Sequence, residues 1–197
     1  MKILFQGDSI TDCGRDRSDC HNLSGYSAMV AAALGGGHEY INLGISGNRS
    51  RDILDRYESD IKAVAPDIMT LLIGINDVWR RYDSNQYTSP AKFEATLREL
   101  FTRFKKDLPK AKLIVMEPFT VPVADKMHWR RDLMEFIDVV RALSVEYADG
   151  FIPLDGIFAK AAMTVPYAAL SADGVHPDAE GQKLIASVLA EEIRRFL

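Results

Sequence analysis

Near the carboxyl end of the chain, Asp173 and His176 stand three residues apart across Gly174, with Pro177 directly after. A carboxylate that close to a histidine can accept from Nδ1–H, fix the tautomer and leave Nε2 free to take a proton. Pro177 disfavours helical geometry at His176, so the imidazole would project from a turn. Such a base needs a nucleophile. Ser9 is well placed, at the end of Lys2-Ile3-Leu4-Phe5-Gln6-Gly7-Asp8-Ser9, a short apolar strand pattern closed by a turn signal. Asn76 carries a side-chain amide of the kind that donates to a developing oxyanion, and Gly47 can offer an unobstructed backbone N–H to the same oxygen. Together these are the parts of an acyl-transfer site. Each also has a plainer use. Asp8, Ser9 and Asn76 are good helix caps, Gly47 suits a left-handed turn, and Asp-Gly is a frequent surface turn.

For these residues to meet, the elements between them must form one sheet edge. Apolar runs at Lys2–Gln6, Glu39–Leu43, Asp67–Ile73, Lys112–Met116 and Phe151–Leu154 read as five strands. Helical patterns lie between and after them: Tyr26–Leu34, a segment from Ser50 with Ile53, Leu54, Tyr57, Ile61 and Val64 on one face, Pro90–Lys106, Asp132–Tyr147, Ile157–Met163 and about 178–196. Thr11–Gly25 reads as a loop, and Trp79–Ser89 as a polar loop or irregular helix. Alternating strand and helix calls for a parallel sheet covered on both faces, with all strand ends of one kind at one edge. The turns after the first three strands, Gly7-Asp8-Ser9, Gly44 to Asn48 and Gly74-Ile75-Asn76-Asp77, would then lie side by side.

Composition narrows the function classes. A chain of 197 residues suits one domain over 1–197, and the net charge of -4 speaks against a general nucleic-acid binder. No run of 18 apolar residues suggests a membrane span, and no signal-peptide pattern precedes the first strand. The two cysteines, Cys13 and Cys20, match no common metal spacing and suit free thiols in a reducing compartment. The four histidines include no His-x-x-x-His pair, so no metal is expected. Nucleotide binding lacks a Gly-x-Gly-x-x-Gly or Gly-Lys-Ser/Thr loop after the first strand.

Taken in order, Gly7-Asp8-Ser9-Ile10, Gly47, Gly74-Ile75-Asn76-Asp77 and Asp173-Gly174-Val175-His176-Pro177 resemble the four blocks of the GDSL, or SGNH, hydrolase family, and they span nearly the whole chain. The resemblance implies a single domain built as a three-layer α/β/α sandwich with a five-stranded parallel sheet, flavodoxin-like in form. It implies a serine esterase without a cofactor, with Ser9 as nucleophile, His176 as base and Asp173 as the orienting acid. The oxyanion hole it implies is the Ser9 N–H with Gly47 and Asn76.

The stretches Gly7–Arg15 and Gly74–Arg80 look like the branch holding intracellular acetyl-xylo-oligosaccharide esterases. That likeness implies an acetylated oligosaccharide as substrate, a cytoplasmic location and a homo-oligomer. Trp79 could stack on a sugar face, with Arg80 and Asp8 as further substrate contacts. Packing beneath a loop is the alternative use of Trp79; Arg80, Arg81, Asp12 and Arg15 could hydrogen-bond sugar hydroxyls or form a solvated loop face. A lysophospholipase or thioesterase relative, and a non-catalytic carbohydrate-binding member of the fold, remain open alternatives.

Overall fold

Short apolar strands joined by amphipathic helices bury both faces of a sheet only when the sheet is parallel and covered on each side. The computed structural model, which describes residues 1–123 and 125–197, has this arrangement. In chain order the elements are β1 (Lys2–Gly7), α1 (Ser9–Asp12), α2 (Gly25–Leu34), β2 (Glu39–Asn42), α3 (Ser50–Asp55), β3 (Ile68–Leu72), α4 (Ile75–Asp83) and α5 (Pro90–Asp107). There follow β4 (Lys112–Met116), α6 (Arg130–Tyr147), β5 (Gly150–Ile152), α7 (Leu154–Ala161), α8 (Tyr167–Leu170) and α9 (Ala179–Arg194). The five strands lie in the order β2-β1-β3-β4-β5, every neighbouring pair parallel. Helix α2 packs on α9, whereas α5 packs on α3 and α6, and these groups form the outer layers. Every residue of β3, the middle strand, is buried.

The register brings the site together. Gly7 lies opposite Leu72, Leu72 opposite Met116, and Met116 opposite Ile152, so four strands end in one row. β2 ends earlier, but the chain continues beside β1, with Leu43 N–H donating to the Phe5 carbonyl at 2.9 Å and Ile45 N–H to the Gly7 carbonyl at 3.2 Å. The turns after β1, β2 and β3 therefore share the edge where β1 has β2 on one side and β3 on the other. Strand order reverses there, and open α/β sheets place their ligands at such a point.

Three local expectations change. Of the segment Trp79–Ser89, read as a polar loop or irregular helix, the part to Asp83 is the second half of α4, which is seated by Ile75 and Val78 in the core while Arg81 to Asp83 face outward. The helix from Ser50 is α-helical only to Asp55 and continues as a π turn over Glu58–Lys62. Its apolar face survives, with Ile53, Leu54, Tyr57 and Ile61 buried, because hydrophobic spacing fixes which side faces the core more firmly than it fixes pitch. The helix expected from Ile157 starts at Leu154, and the one-turn helices α1 and α8 were too short to leave a periodic signal.

Candidate active site

Asp8 and Ser9 form the corner between β1 and α1. Asp8 is the helix cap, its Oδ1 accepting from the Ile10 amide at 3.0 Å, and Ser9 is the first helical residue. The capping reading thus applies to Asp8, and the Ser9 side chain takes no part in the cap. Ser9 Oγ lies 2.9 Å from His176 Nε2. On the other side of the imidazole, Nδ1 lies 2.6 Å from Asp173 Oδ2.

The Asp173–His176 turn is built by its own carboxylate. Asp173 Oδ1 accepts from the amides of Val175 and His176 at 2.8 and 2.7 Å, across Gly174 with φ 83°. Burial pushes the Asp173 carboxyl up, but its hydrogen bonds from the His176 ring and these two amides outweigh that and hold it below the usual carboxylate range. An ionised acceptor at Nδ1 fixes the tautomer that leaves Nε2 facing Ser9. Pro177 does not itself open the last helix: Asp178 intervenes, and α9 begins at Ala179.

The turns after β1, β2 and β3 also carry candidate donors for an oxyanion. The backbone N–H groups of Ser9 and Gly47 donate to no group among the described residues. Gly47 has φ 86°, which a side chain would strain, and open space where a Cβ would stand. Asn76 is buried, with Nδ2 donating to the Asn48 carbonyl at 3.0 Å and Oδ1 accepting from Arg80 at 3.2 Å. These two bonds fix which end of the amide is nitrogen and leave its second hydrogen unpaired.

Over residues 5–184 the sequence matches the GDSL-like Lipase/Acylhydrolase family. The chain belongs to this family. It is a carboxylic ester hydrolase. Among its relatives, the acetylxylan esterase of Geobacillus stearothermophilus is 36% identical, over 98% of this chain and 93% of that one. A structure of that esterase superposes with a TM-score of 0.88 at the same identity and coverage. A Parabacteroides merdae protein described as a GDSL-like lipase gives a TM-score of 0.91 at 36% identity, covering 97% of this chain and 94% of that one. Similar structures also include catalytic mutants of the Geobacillus esterase in which a serine, an aspartate, and a histidine three residues beyond that aspartate are each replaced by alanine.

In this GDSL-like hydrolase the serine and histidine open onto a hollow of about 270 Å³, walled also by Ile10, Cys13, Ser46 and Gln182. A second hollow, of about 230 Å³, lies among Val121, Arg130, Asp155 and Phe158 and holds none of the residues above. Trp79 lies beside the imidazole, ring centroids 5.9 Å apart, and is backed by Trp129 at 5.1 Å. Arg80 sits over the Trp79 ring and pairs with Asp83.

The expected substrate contact at Asp8 is not available. Its side chain is fully buried beneath Ser9, and burial, opposed by the Ile10 amide, pushes its carboxyl up to about 7. Asp12 and Arg15 are buried too, rather than part of a solvated loop face, and Arg81 is tied to Asp132.

Several residues that hold the site were not singled out as such from sequence. Asp12 accepts from the Ser46 amide at 3.1 Å and hydroxyl at 2.5 Å, joining the turns after β1 and β2. Arg56 donates to Asn48 Oδ1 at 2.7 and 3.1 Å and to Gln6 at 3.2 Å. Asp77 accepts from the Ser50 amide and hydroxyl at 2.9 and 2.8 Å, and burial raises its carboxyl to about 6 against those bonds. Asp77 stands beside Asn76 in one of the quoted blocks, which is a local signal. Arg56 and Gln182 have none.

Proposed function

We propose that this hydrolase removes acetyl groups from short sugar chains, xylo-oligosaccharides in the first place, through an acyl-enzyme on Ser9. The observation that carries the reading is the unbroken line Asp173–His176–Ser9, with 2.6 and 2.9 Å contacts, together with three N–H donors that have no partner among the described residues. The three-residue spacing of the relative's catalytic aspartate and histidine, repeated at Asp173 and His176, supports the same roles here.

Ser9 Oγ attacks the acetyl carbonyl while His176 Nε2 takes its proton, and Asp173 stabilises the imidazolium that forms. The oxyanion is held by the N–H groups of Ser9 and Gly47 and the free hydrogen of Asn76. The sugar hydroxyl leaves with the proton from His176, and water then releases acetate by the same path. Trp79, against the imidazole, offers an apolar face to the sugar, with Arg80 at its edge. A non-catalytic binding role has no use for an imidazole and a serine aligned in this way.

Hydrolysis of 4-nitrophenyl esters from acetyl to octanoyl, beside acetylated xylose and xylo-oligosaccharides, tests the proposal. Turnover confined to acetyl esters, sugars included, and lost in Ser9→Ala, is the expected result. Preference for longer acyl chains would keep Ser9 but move the substrate to the lipid or thioester side. Activity surviving in Ser9→Ala would overturn the mechanism. A cytoplasmic site of action, which suits the two unpaired cysteines, and a homo-oligomer complete the proposal. Fractionation of the source cells and light scattering of the purified chain read these two.

A further inference from the structure

The base and the nucleophile come from opposite ends of the chain, 167 residues apart. Asp173 orients the imidazole within its own turn, but it does not fix where that turn sits relative to Ser9. Something must hold the segment 170–182 against the β1–α1 corner. Apart from the Ser9–His176 contact, the hydrogen bonds that join residues 170–182 to residues 1–34 all run through Gln182 among the described residues.

Gln182 lies in the first turn of α9 and is 7% exposed. Its Oε1 accepts from the Tyr26 amide at 2.7 Å. That amide is in the first turn of α2, whose cap residue Ser24 makes no capping bond, so Gln182 supplies the acceptor that this helix start needs. Its Nε2 donates to the Pro177 carbonyl at 3.1 Å and to Cys13 Sγ at 3.5 Å. Pro177 follows His176, and Cys13 ends the helix that Ser9 begins. One buried amide thus grips the residue after the base, the far end of the nucleophile's helix and the start of α2. Gly25 permits the approach, since a Cβ there would stand 2.9 Å from Gln182 Oε1 and 2.5 Å from Cys13 Sγ.

The contacts also determine the residue type. A buried N–H needs an acceptor and a buried carbonyl needs a donor, and only a carboxamide of this length meets both at once. We infer that Gln182 is a positioning residue for the ester hydrolysis: it clamps the His176–Pro177 segment to the Ser9 helix and so sets the alignment of base and nucleophile. The inference rests on the assignment of Ser9 and His176 above.

Gln182→Met tests it, because methionine keeps the length and packing but neither donates nor accepts in the same way. Steady-state hydrolysis of a small acetyl ester, the rate of Ser9 labelling by a fluorophosphonate and a thermal melt are measured together, with Ser9→Ala as the control. The expected result is a cooperative melt, kcat lowered about 10- to 100-fold with KM little changed, and labelling slowed in parallel, as misplacement of a catalytic pair produces. A folded variant with wild-type kcat and labelling would overturn the inference, even if its melting temperature had dropped. If Gln182→Met does not fold, Gln182→Glu decides. It keeps the acceptor for Tyr26 and loses the donor to Pro177, so kcat must still fall. Activity remaining in Ser9→Ala would instead strike at the nucleophile assignment, a separate failure.

Discussion

Asn76 is held at both ends of its amide, so the oxyanion contact proposed for it does not depend on chance orientation. Arg80 takes the oxygen and the Asn48 carbonyl takes one hydrogen, so the second hydrogen has a fixed direction before any substrate arrives. A donor fixed in advance stabilises the oxyanion without reorganising during reaction. Asn76→Ala should lower kcat by about 10²–10³-fold with KM little changed, as loss of one oxyanion donor does. Steady-state kinetics on 4-nitrophenyl acetate checks this, and a kcat near wild type would remove Asn76 from the oxyanion hole. Asp8 behaves differently although it adjoins the proposed nucleophile in sequence. Its buried carboxyl is committed to the start of α1, and nothing about its residue type distinguishes that use from a substrate contact.

The turns around the site are joined to one another by polar pairs. The turn holding Gly47 and Asn48 hangs between β2 and α3, and Arg56 is its main anchor: its guanidinium bonds Asn48 Oδ1, the Leu43 carbonyl, Gln6 and Asp60 together. Arg56→Ala should let this turn shift, moving the Gly47 N–H and the Asn48 carbonyl that orients Asn76. A drop in kcat of about tenfold is expected, larger than any change in KM. Unchanged kinetics in a folded variant would mean that Asp12, through Ser46, holds the turn unaided. These couplings mark the limit of what was legible in the sequence. The strands, their parallel sense and the polar turns after the first three could be read because those three apolar runs stop at Gly7, Gly44 and Gly74, the fourth at Glu117-Pro118 and the fifth at Asp155. The start of helix α4 at Ile75 could not, since its apolar residues Ile75, Val78 and Trp79 are interrupted by Asn76, Asp77 and two arginines and leave too short a period. Pairings such as Asp12–Ser46, Asp77–Ser50 and Gln182–Tyr26 span 34, 27 and 156 residues. They have no period and no local signature, so they emerge only once the sheet has brought the ends together.

Across the whole molecule, buried carboxyls pull stability in opposite directions with pH. Asp12 is buried and Asp149 half-buried, which pushes both up, but bonds from Arg17 and Ser46 to the first and from Lys105 and Leu113 to the second prevail and lower both. Such groups stabilise the fold above the pKa they have in the unfolded chain, and that contribution is lost as pH falls through their lower folded value. Asp8 and Asp77, buried under the active-site edge, have the reverse sign. Their carboxyls rise from 3.8 to about 7 and about 6, so between those limits the folded protein holds protons that the unfolded chain has released. Stability from these two is greatest in acid and declines as pH rises through that window, levelling once both are ionised. Asp8→Asn removes one of the two titrations and keeps an oxygen for the Ile10 amide. Thermal melts of wild type and Asp8→Asn at intervals from pH 4.5 to 8 should therefore show a smaller fall in Tm for the variant, with the two curves diverging up to about pH 7 and running parallel beyond it. Equal falls would mean that the Asp8 carboxyl is relieved in the folded protein by contacts that offset its burial. The decline would then have to come from Asp77 and level nearer pH 6, so the same melts assign the titration to one side of the site or the other.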